Sequence, residues 1–236
     1  MKNNFTIKEV IEHWDKIAAI YDPCNKKPSN PHFQRFVVGV GFMNPQPKMK
    51  VLNIWSRTGD SIQFLRNKCK DAALYNLEAS KNMIKIAKKK YPAEKFHTTD
   101  LENLDYSDNF FDYILCLETL EHTPKPSKLL KEFHRTLKPT GRLILSLPPA
   151  SAELNYRIYT FVFRSHGEGP HKFLSTKTVK KLLKETRFEL LLHKSTLLIP
   201  VFGEVIMNLG EKIIEKFQDT FIAELGVRQF YVCKKR

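Results

Sequence analysis

Short apolar runs recur through the middle of this chain at Lys50–Ile54, Ala72–Leu77, Phe111–Leu117 and Arg142–Leu147, and segments with helical periodicity lie between them. Strands alternating with helices at this spacing imply an α/β fold: a doubly wound, parallel sheet with right-handed crossovers. The run Phe111–Leu117 is almost continuously apolar, as expected of a strand buried on both faces. Helices are predicted over Ser61–Lys70, over Ser80–Lys90 with Ser80 as N-cap, and over Ser127–Leu137. Lys95–Thr98 reads as a short strand ending near Asp100, and Pro139-Thr140-Gly141 as a turn into the strand Arg142–Leu147.

The flanks read differently. Residues 5–21 place Phe5, Ile7, Val10, Ile11, Trp14, Ile17, Ala18 and Tyr21 at helical spacing. Pro23, Pro28 and Pro31 then break the chain, and Phe33–Phe42 forms a short apolar helix. After Pro148-Pro149, residues 150–172 are rich in aromatic side chains and carry His166 and His171 among glycine and proline. Ser175–Thr186 reads as a helix, Phe188–Leu198 as a long strand, Val201–Phe217 as an amphipathic helix and Gln229–Cys233 as a final strand. The late pair of strands fits an antiparallel edge added to the parallel sheet.

Composition narrows the function classes. The chain has 236 residues, 42% hydrophobic and 27% charged, which suits one soluble domain with appendages. The expected division is a lid over 1–48, a core over 49–148, and a substrate-side insertion with C-terminal strands over 149–236. No apolar run approaches the roughly 18–20 residues that cross a bilayer, and the N-terminus carries no apolar signal core. Cys24, Cys69, Cys116 and Cys233 fit neither a metal spacing nor a disulfide framework, so a reducing cytoplasm is the expected compartment. The formal charge of +14 attracts anions, but basic and aromatic residues do not interleave as in nucleic-acid binders. Lysines solvated on helix faces, as from Lys81 to Lys90, account for it, and nucleic acid is the less favoured partner.

In an open parallel sheet, ligands bind at the carboxyl ends of the strands. Four features fall there: the turn Asn53–Asp60, Glu78, Asp100-Leu101, and Cys116–His122. Glu78, ending an apolar strand, sits where an acidic group accepts hydrogen bonds from a ribose diol. Asp100 also suits an Asx-turn. His122 suits either a general base or a cap on the following helix. His171 suits a substrate contact or a loop-stabilising surface position. No histidine–carboxylate spacing suggests a metal, and no nucleophile elbow is present.

In these features the chain resembles the class I S-adenosylmethionine-dependent methyltransferases, in the small-molecule group that includes quinone-biosynthesis enzymes. The resemblance is carried by VLNIWSRTG at 51–59, Glu78, Asp100-Leu101, FDYILCLETLEHTP at 111–124 and LKPTGRLILSLP at 137–148. WDKIAAIYD at 14–22 is similar to the helix that lids the cofactor in this group. The resemblance implies a Rossmann-like, seven-stranded, mostly parallel sheet with one antiparallel strand in the edge region, plus an N-terminal helical lid. It implies that Glu78 and Ala79 meet the ribose and that Asp100 and Leu101 meet the adenine. Asn53, Trp55, Arg57 and Gly59 then line the methionine end, with Tyr21 and Leu117 also against the cofactor. His122 and His171 face the acceptor.

The departures sit in one place. Where the family motif has Asp, Gly and Gly, this chain has Asn53, Trp55 and Arg57, and only Gly59 remains. Glycine serves there because the backbone approaches the ligand closely and takes positive φ. Trp55 and Arg57 therefore either obstruct the pocket or hold the cofactor, by stacking and by pairing with its carboxylate. The sulfonium is already an activated methyl donor, so the enzyme mainly aligns the reactants and excludes water. The expected reaction is methyl transfer to a small, apolar acceptor. Two further readings stand beside it: a catalytically silent scaffold of the same fold, and an RNA methyltransferase drawn by charge. The apolar face of Leu197–Phe217 lines an acceptor pocket, packs on the core, or meets a second subunit in a homodimer.

Overall fold

The computed structural model describes residues 4–26, 31–98, 101–153, 169–197, 204–218 and 220–236. Fourteen elements frame the site, in chain order: α1 (Ile7–Asn25), α2 (Gln34–Gly41), β1 (Lys50–Ile54), α3 (Asp60–Lys68), β2 (Ala73–Leu77), α4 (Lys81–Lys90), β3 (Phe96–His97), β4 (Phe111–Leu117), α5 (Pro126–Thr136), β5 (Leu137–Leu147), α6 (Thr176–Glu185), β6 (Phe188–Thr196), α7 (Glu204–Lys216) and β7 (Arg228–Lys235). The strands form one seven-stranded sheet in the order β3-β2-β1-β4-β5-β7-β6. The first five run parallel, and β7 runs antiparallel to both β5 and β6. The antiparallel strand therefore lies one place in from the edge, which β6 occupies.

Strand order reverses between β1 and β4, and this is where an open sheet of this kind holds its ligand. Side chains alternate across the sheet and so feed two cores. Leu52, Ile54, Ile114, Cys116, Leu143 and Leu145 pack with Trp14 of α1, Phe133 of α5 and Leu183 of α6. Val51, Leu115 and Ile144 pack on the other face with Phe36 and Val40 of α2 and Ile62 and Leu65 of α3.

Local chemistry sets the helix starts. Thr6 and Glu9 form a reciprocal capping box at the start of α1. Ser80 and Ser175 each accept a backbone N–H from the first turn of the helix they cap. Two boundaries differ from the sequence reading. The helix α1 continues past Tyr21 and over Pro23 to Asn25. Pro139-Thr140-Gly141 is not a separate turn: β5 begins at Leu137, which pairs with Phe111, and the register then jumps to Tyr113 opposite Arg142, leaving the tripeptide as an irregularity within the strand. His166, most of the aromatic segment and Val201 lie outside the described residues. Among the described residues no helix is long and apolar enough to span a membrane, and no cluster of metal-ligating side chains occurs.

Candidate cofactor site

The turn after β1 keeps the backbone of a glycine motif with only its last glycine, Gly59, in place. Trp55 (φ 46°), Arg57 (φ 53°) and Gly59 (φ 86°) all occupy the left-handed region. A residue with a Cβ pays about 1–2 kcal/mol to sit there. At Gly59 the requirement is also steric: an added Cβ would lie 2.9 Å from Tyr91 Cδ2. The strained turn is held by backbone bonds, with Ser56 N donating to Leu77 O (2.9 Å) and Gly59 N to Ser56 O (2.8 Å). Thr58 Oγ1 donates to Asp22 Oδ1 of α1 at 2.5 Å.

Glu78, at the carboxyl end of β2, is 1% exposed. Its carboxylate accepts from Arg57 N (2.8 Å) and Ser80 N (2.9 Å). Arg57 Nη1 lies 4.0 Å from Glu78 Oε1. The Arg57 guanidinium is sandwiched by the chain's two tryptophans, 3.7 Å from the ring centroid of Trp14 and 4.7 Å from that of Trp55. His122 closes the cluster, edge-on to Trp14 at 5.4 Å and tilted against Trp55 at 6.2 Å between centroids. Burial dominates the electrostatics. It raises the Glu78 carboxyl above its ordinary value despite Arg57 and the backbone donors, and it lowers Arg57 despite Glu78. Both shifts run toward the neutral forms, so mutual attraction does not fully offset desolvation in this pair.

The helix α1 clamps this cluster from above. Asp15 Oδ1 accepts from Ser80 Oγ (2.5 Å) and Asn82 N (3.0 Å), and Lys90 Nζ bridges Asp22 Oδ2 (2.9 Å) and Asp60 Oδ1 (2.6 Å). Tyr21, buried on α1, accepts from Arg35 Nη2 at 3.1 Å, and burial raises its hydroxyl to about 12.

The structure thus unites Trp55, Arg57, Glu78 and His122 around Trp14. Leu101 and Ala79 belong to the same apolar cluster. Asn53 and Leu117 are placed differently. Asn53 Nδ2 donates to Ser61 Oγ and Asn76 Oδ1, both at 2.9 Å, and Leu117 packs in the core beneath α2. His171 stands 6.1 Å from His122 between ring centroids, with Nδ1 at 2.8 Å from Gly169 O and Nε2 at 3.3 Å from Glu153 Oε2. Asp100 lies outside the described residues. A second polar cluster had no clear sequence signal: Glu118, directly after β4, joins Arg35 of α2 to Arg228 of β7. Its only local hint is the acidic residue ending an apolar strand, the pattern that also marks Glu78.

The residues at the switch point fit S-adenosylmethionine in kind. Trp55 Nε1, Arg57 Nη1 and Ser56 Oγ are buried without hydrogen-bond partners among the described residues. Unpaired buried donors are costly, and a ligand carboxylate would satisfy them. Glu78 offers the matching acceptor for a diol.

Comparison with known proteins agrees. The family model for a methyltransferase domain matches residues 52–145. Demethylmenaquinone methyltransferase of Thermotoga maritima is 30% identical over 166 residues, 68% of this chain and 71% of that one. A ubiquinone/menaquinone biosynthesis C-methyltransferase of Desulfotalea psychrophila is 28% identical over 157 residues, 64% of this chain and 63% of that one. The fold matches phosphoethanolamine N-methyltransferase 2 of Haemonchus contortus, solved with S-adenosyl-L-methionine, at a TM-score of 0.67 and 14% identity, covering 99% of this chain and 61% of that one. These relatives favour an enzyme over a silent scaffold, and S-adenosylmethionine is its methyl donor. By strand order, by the turn after β1 and by an alignment that spans two thirds of both chains, this protein belongs to the class I S-adenosylmethionine-dependent methyltransferases, in their quinone-biosynthesis-like group.

Proposed function

We propose that the methyl acceptor is a small, apolar ring compound of the quinol kind, bound beside the turn that carries His122. The carrying observation is a cavity of about 290 Å³ whose walls include Phe5, Leu120, Pro124, Pro126 and Leu174, with Asn4, Thr123 and Lys172 as its polar points. Apolar walls with a few polar groups suit an aromatic ring with an ionisable hydroxyl. The names of the relatives in quinone biosynthesis support the same class.

In this reading Glu78, Ala79 and Leu101 hold the nucleoside, while Gly59 and Trp55 line the methionine end, over which Arg57 is packed in the ligand-free chain. Tyr21 and α1 form the lid, within the segment 1–48. The cofactor supplies an activated methyl group. The protein contributes alignment, exclusion of water and control of one proton. His122 Nδ1 lies 2.9 Å from Pro170 O, which assigns the ring proton to Nδ1 and leaves Nε2 as the basic atom. Burial, reinforced by Arg57, holds this imidazole well below its ordinary value, so the ring stays neutral with Nε2 free of a proton, as a weaker base than a solvated histidine. The free cysteines suit a reducing cytoplasm. The exposed Val205, Ile206 and Leu209 on α7 suit contact with a second copy.

The test is product analysis by mass spectrometry with a demethylated naphthoquinol as acceptor. Methylated product and S-adenosylhomocysteine are expected, and Leu120→Trp, which fills the cavity, should raise KM for the acceptor about tenfold without weakening S-adenosylhomocysteine binding. Donor binding with no methylated quinol would reject this acceptor class.

A further inference from the structure

The crevice that should receive the cofactor holds side chains of the protein itself. Glu78, the acceptor for the ribose diol, is 1% exposed, and Trp55 and Arg57 are 4% and 6% exposed. Arg57 lies over Trp14 and Trp55 with its cation toward Glu78, and α1 is fastened across them through Asp15 and Asp22. We propose that Arg57 sets the cofactor affinity of this enzyme as a resident competitor: it occupies the crevice and covers Glu78 in the ligand-free chain, and leaves the tryptophan stack when the cofactor enters.

Three observations support displacement over a permanent wall. The Arg57 backbone is held at φ 53°, a conformation with a standing cost for any residue but glycine. Arg57 Nη1 and Trp55 Nε1 have no hydrogen-bond partner among the described residues, so the packed arrangement satisfies neither donor. The contact to Glu78 is long, at 4.0 Å, and therefore weaker than a hydrogen-bonded pair. A plug with these properties is stable enough to fill the crevice and loose enough to yield. If the open form is about one molecule in ten, apparent affinity falls about tenfold below that of an open crevice.

The inference rests on S-adenosylmethionine as ligand, and its readout does not require turnover. Trp14 and Trp55 are the only tryptophans, so intrinsic fluorescence reports on the stack itself. Whole protein is titrated with S-adenosylhomocysteine while emission and the thermal midpoint are followed. In the wild type, emission should change in step with thermal stabilisation, and Trp14→Phe and Trp55→Phe should each remove part of the signal. Arg57→Gly suits the positive φ and should bind about tenfold tighter. Arg57→Asn, which also tolerates that backbone, should do the same. Thermal stabilisation of the wild type with unchanged emission would overturn the proposal, because the stack then survives binding. Equal or weaker binding by folded Arg57 variants would also overturn it. If neither the wild type nor either variant shows stabilisation at millimolar ligand, the cofactor assignment fails and the proposal fails with it. Binding by the variants alone would be its strongest support.

Discussion

Arg228 Nε donates to Glu118 Oε1 across 2.5 Å, and Arg35 Nη1 binds the other oxygen of the same part-buried carboxylate, 11% exposed between two buried arginines. One acid thus serves two guanidinium groups from α2 and β7, at a residue whose φ is 50°. Burial pushes the Glu118 carboxyl up, but Arg228 and Arg35 outweigh it and hold it down at about 2. Removing one partner of a buried ionic group strands the others. Glu118→Ala should therefore cost about 3–5 kcal/mol in urea unfolding, with the m-value unchanged. A loss below about 1 kcal/mol, the worth of a surface pair, would show that water reaches this cluster.

A neighbouring pair gives the pH dependence. His32 Nε2 stands 3.3 Å from Asp60 Oδ2, with both side chains 6% exposed. Burial, reinforced by Arg35, lowers the imidazole to about 4 in spite of Asp60. The unfolded chain takes up this proton below about pH 6.5, and the folded chain only near 4. Stability from this group is thus fully present above about 6.5 and is lost as pH falls from there to about 4, by about 3 kcal/mol in all. His32→Gln should flatten the decline by up to about 1.4 kcal/mol per pH unit in denaturation between about pH 7 and 5. Parallel curves for the two proteins would refute the assignment. Asp60, held below the ordinary carboxylate range by His32 and Lys90, acts only at lower pH.

The sheet was legible because β1, β2, β4 and β5 announce themselves as apolar runs bounded by breakers, a signal that depends only on neighbours in sequence. Glu78 was legible because position after a buried strand nearly determines its surroundings. Trp14 was visible only as part of a lid. Its contact with Arg57 depends on the angle at which α1 crosses the sheet, and nothing local encodes that angle. Arg35 and Arg228 were illegible for the same reason: they meet Glu118 through tertiary packing alone. The placing of Asn53 at the methionine end followed from motif position, but strand alternation turns its side chain toward Asn76 and Ser61.

These bonds give Asn53 a structural role that can be tested apart from any contact with the cofactor. Asn53→Leu keeps the volume and removes the hydrogen bonds to both neighbours, leaving Asn76 Oδ1 and Ser61 Oγ without this buried donor and Ser61 Oγ without its acceptor Asn53 Oδ1. The expected loss is about 1–3 kcal/mol in thermal or urea unfolding. Calorimetric affinity for S-adenosylhomocysteine should stay at the wild-type value in the folded fraction. A large drop in affinity with stability intact would return Asn53 to the cofactor.

The final prediction concerns His122, proposed above as the base, with its two ring nitrogens in different surroundings. Pro170 O fixes the proton on Nδ1, and burial with Arg57 nearby keeps the ring neutral well below its ordinary range. A base of this kind keeps its activity through the pH range in which a solvated imidazole takes up its proton. The rate of a single turnover should stay level as pH falls from about 8 to 6, and its acid limb should lie below that of an exposed histidine. His122→Asn preserves a donor for Pro170 O and removes the basic Nε2. It should slow the chemical step by about 10²–10⁴-fold while leaving S-adenosylhomocysteine binding intact. Full activity in this variant would mean that alignment alone drives methyl transfer here. An acid limb centred near about 6.5 in the wild type would instead mean that His122 meets water during turnover.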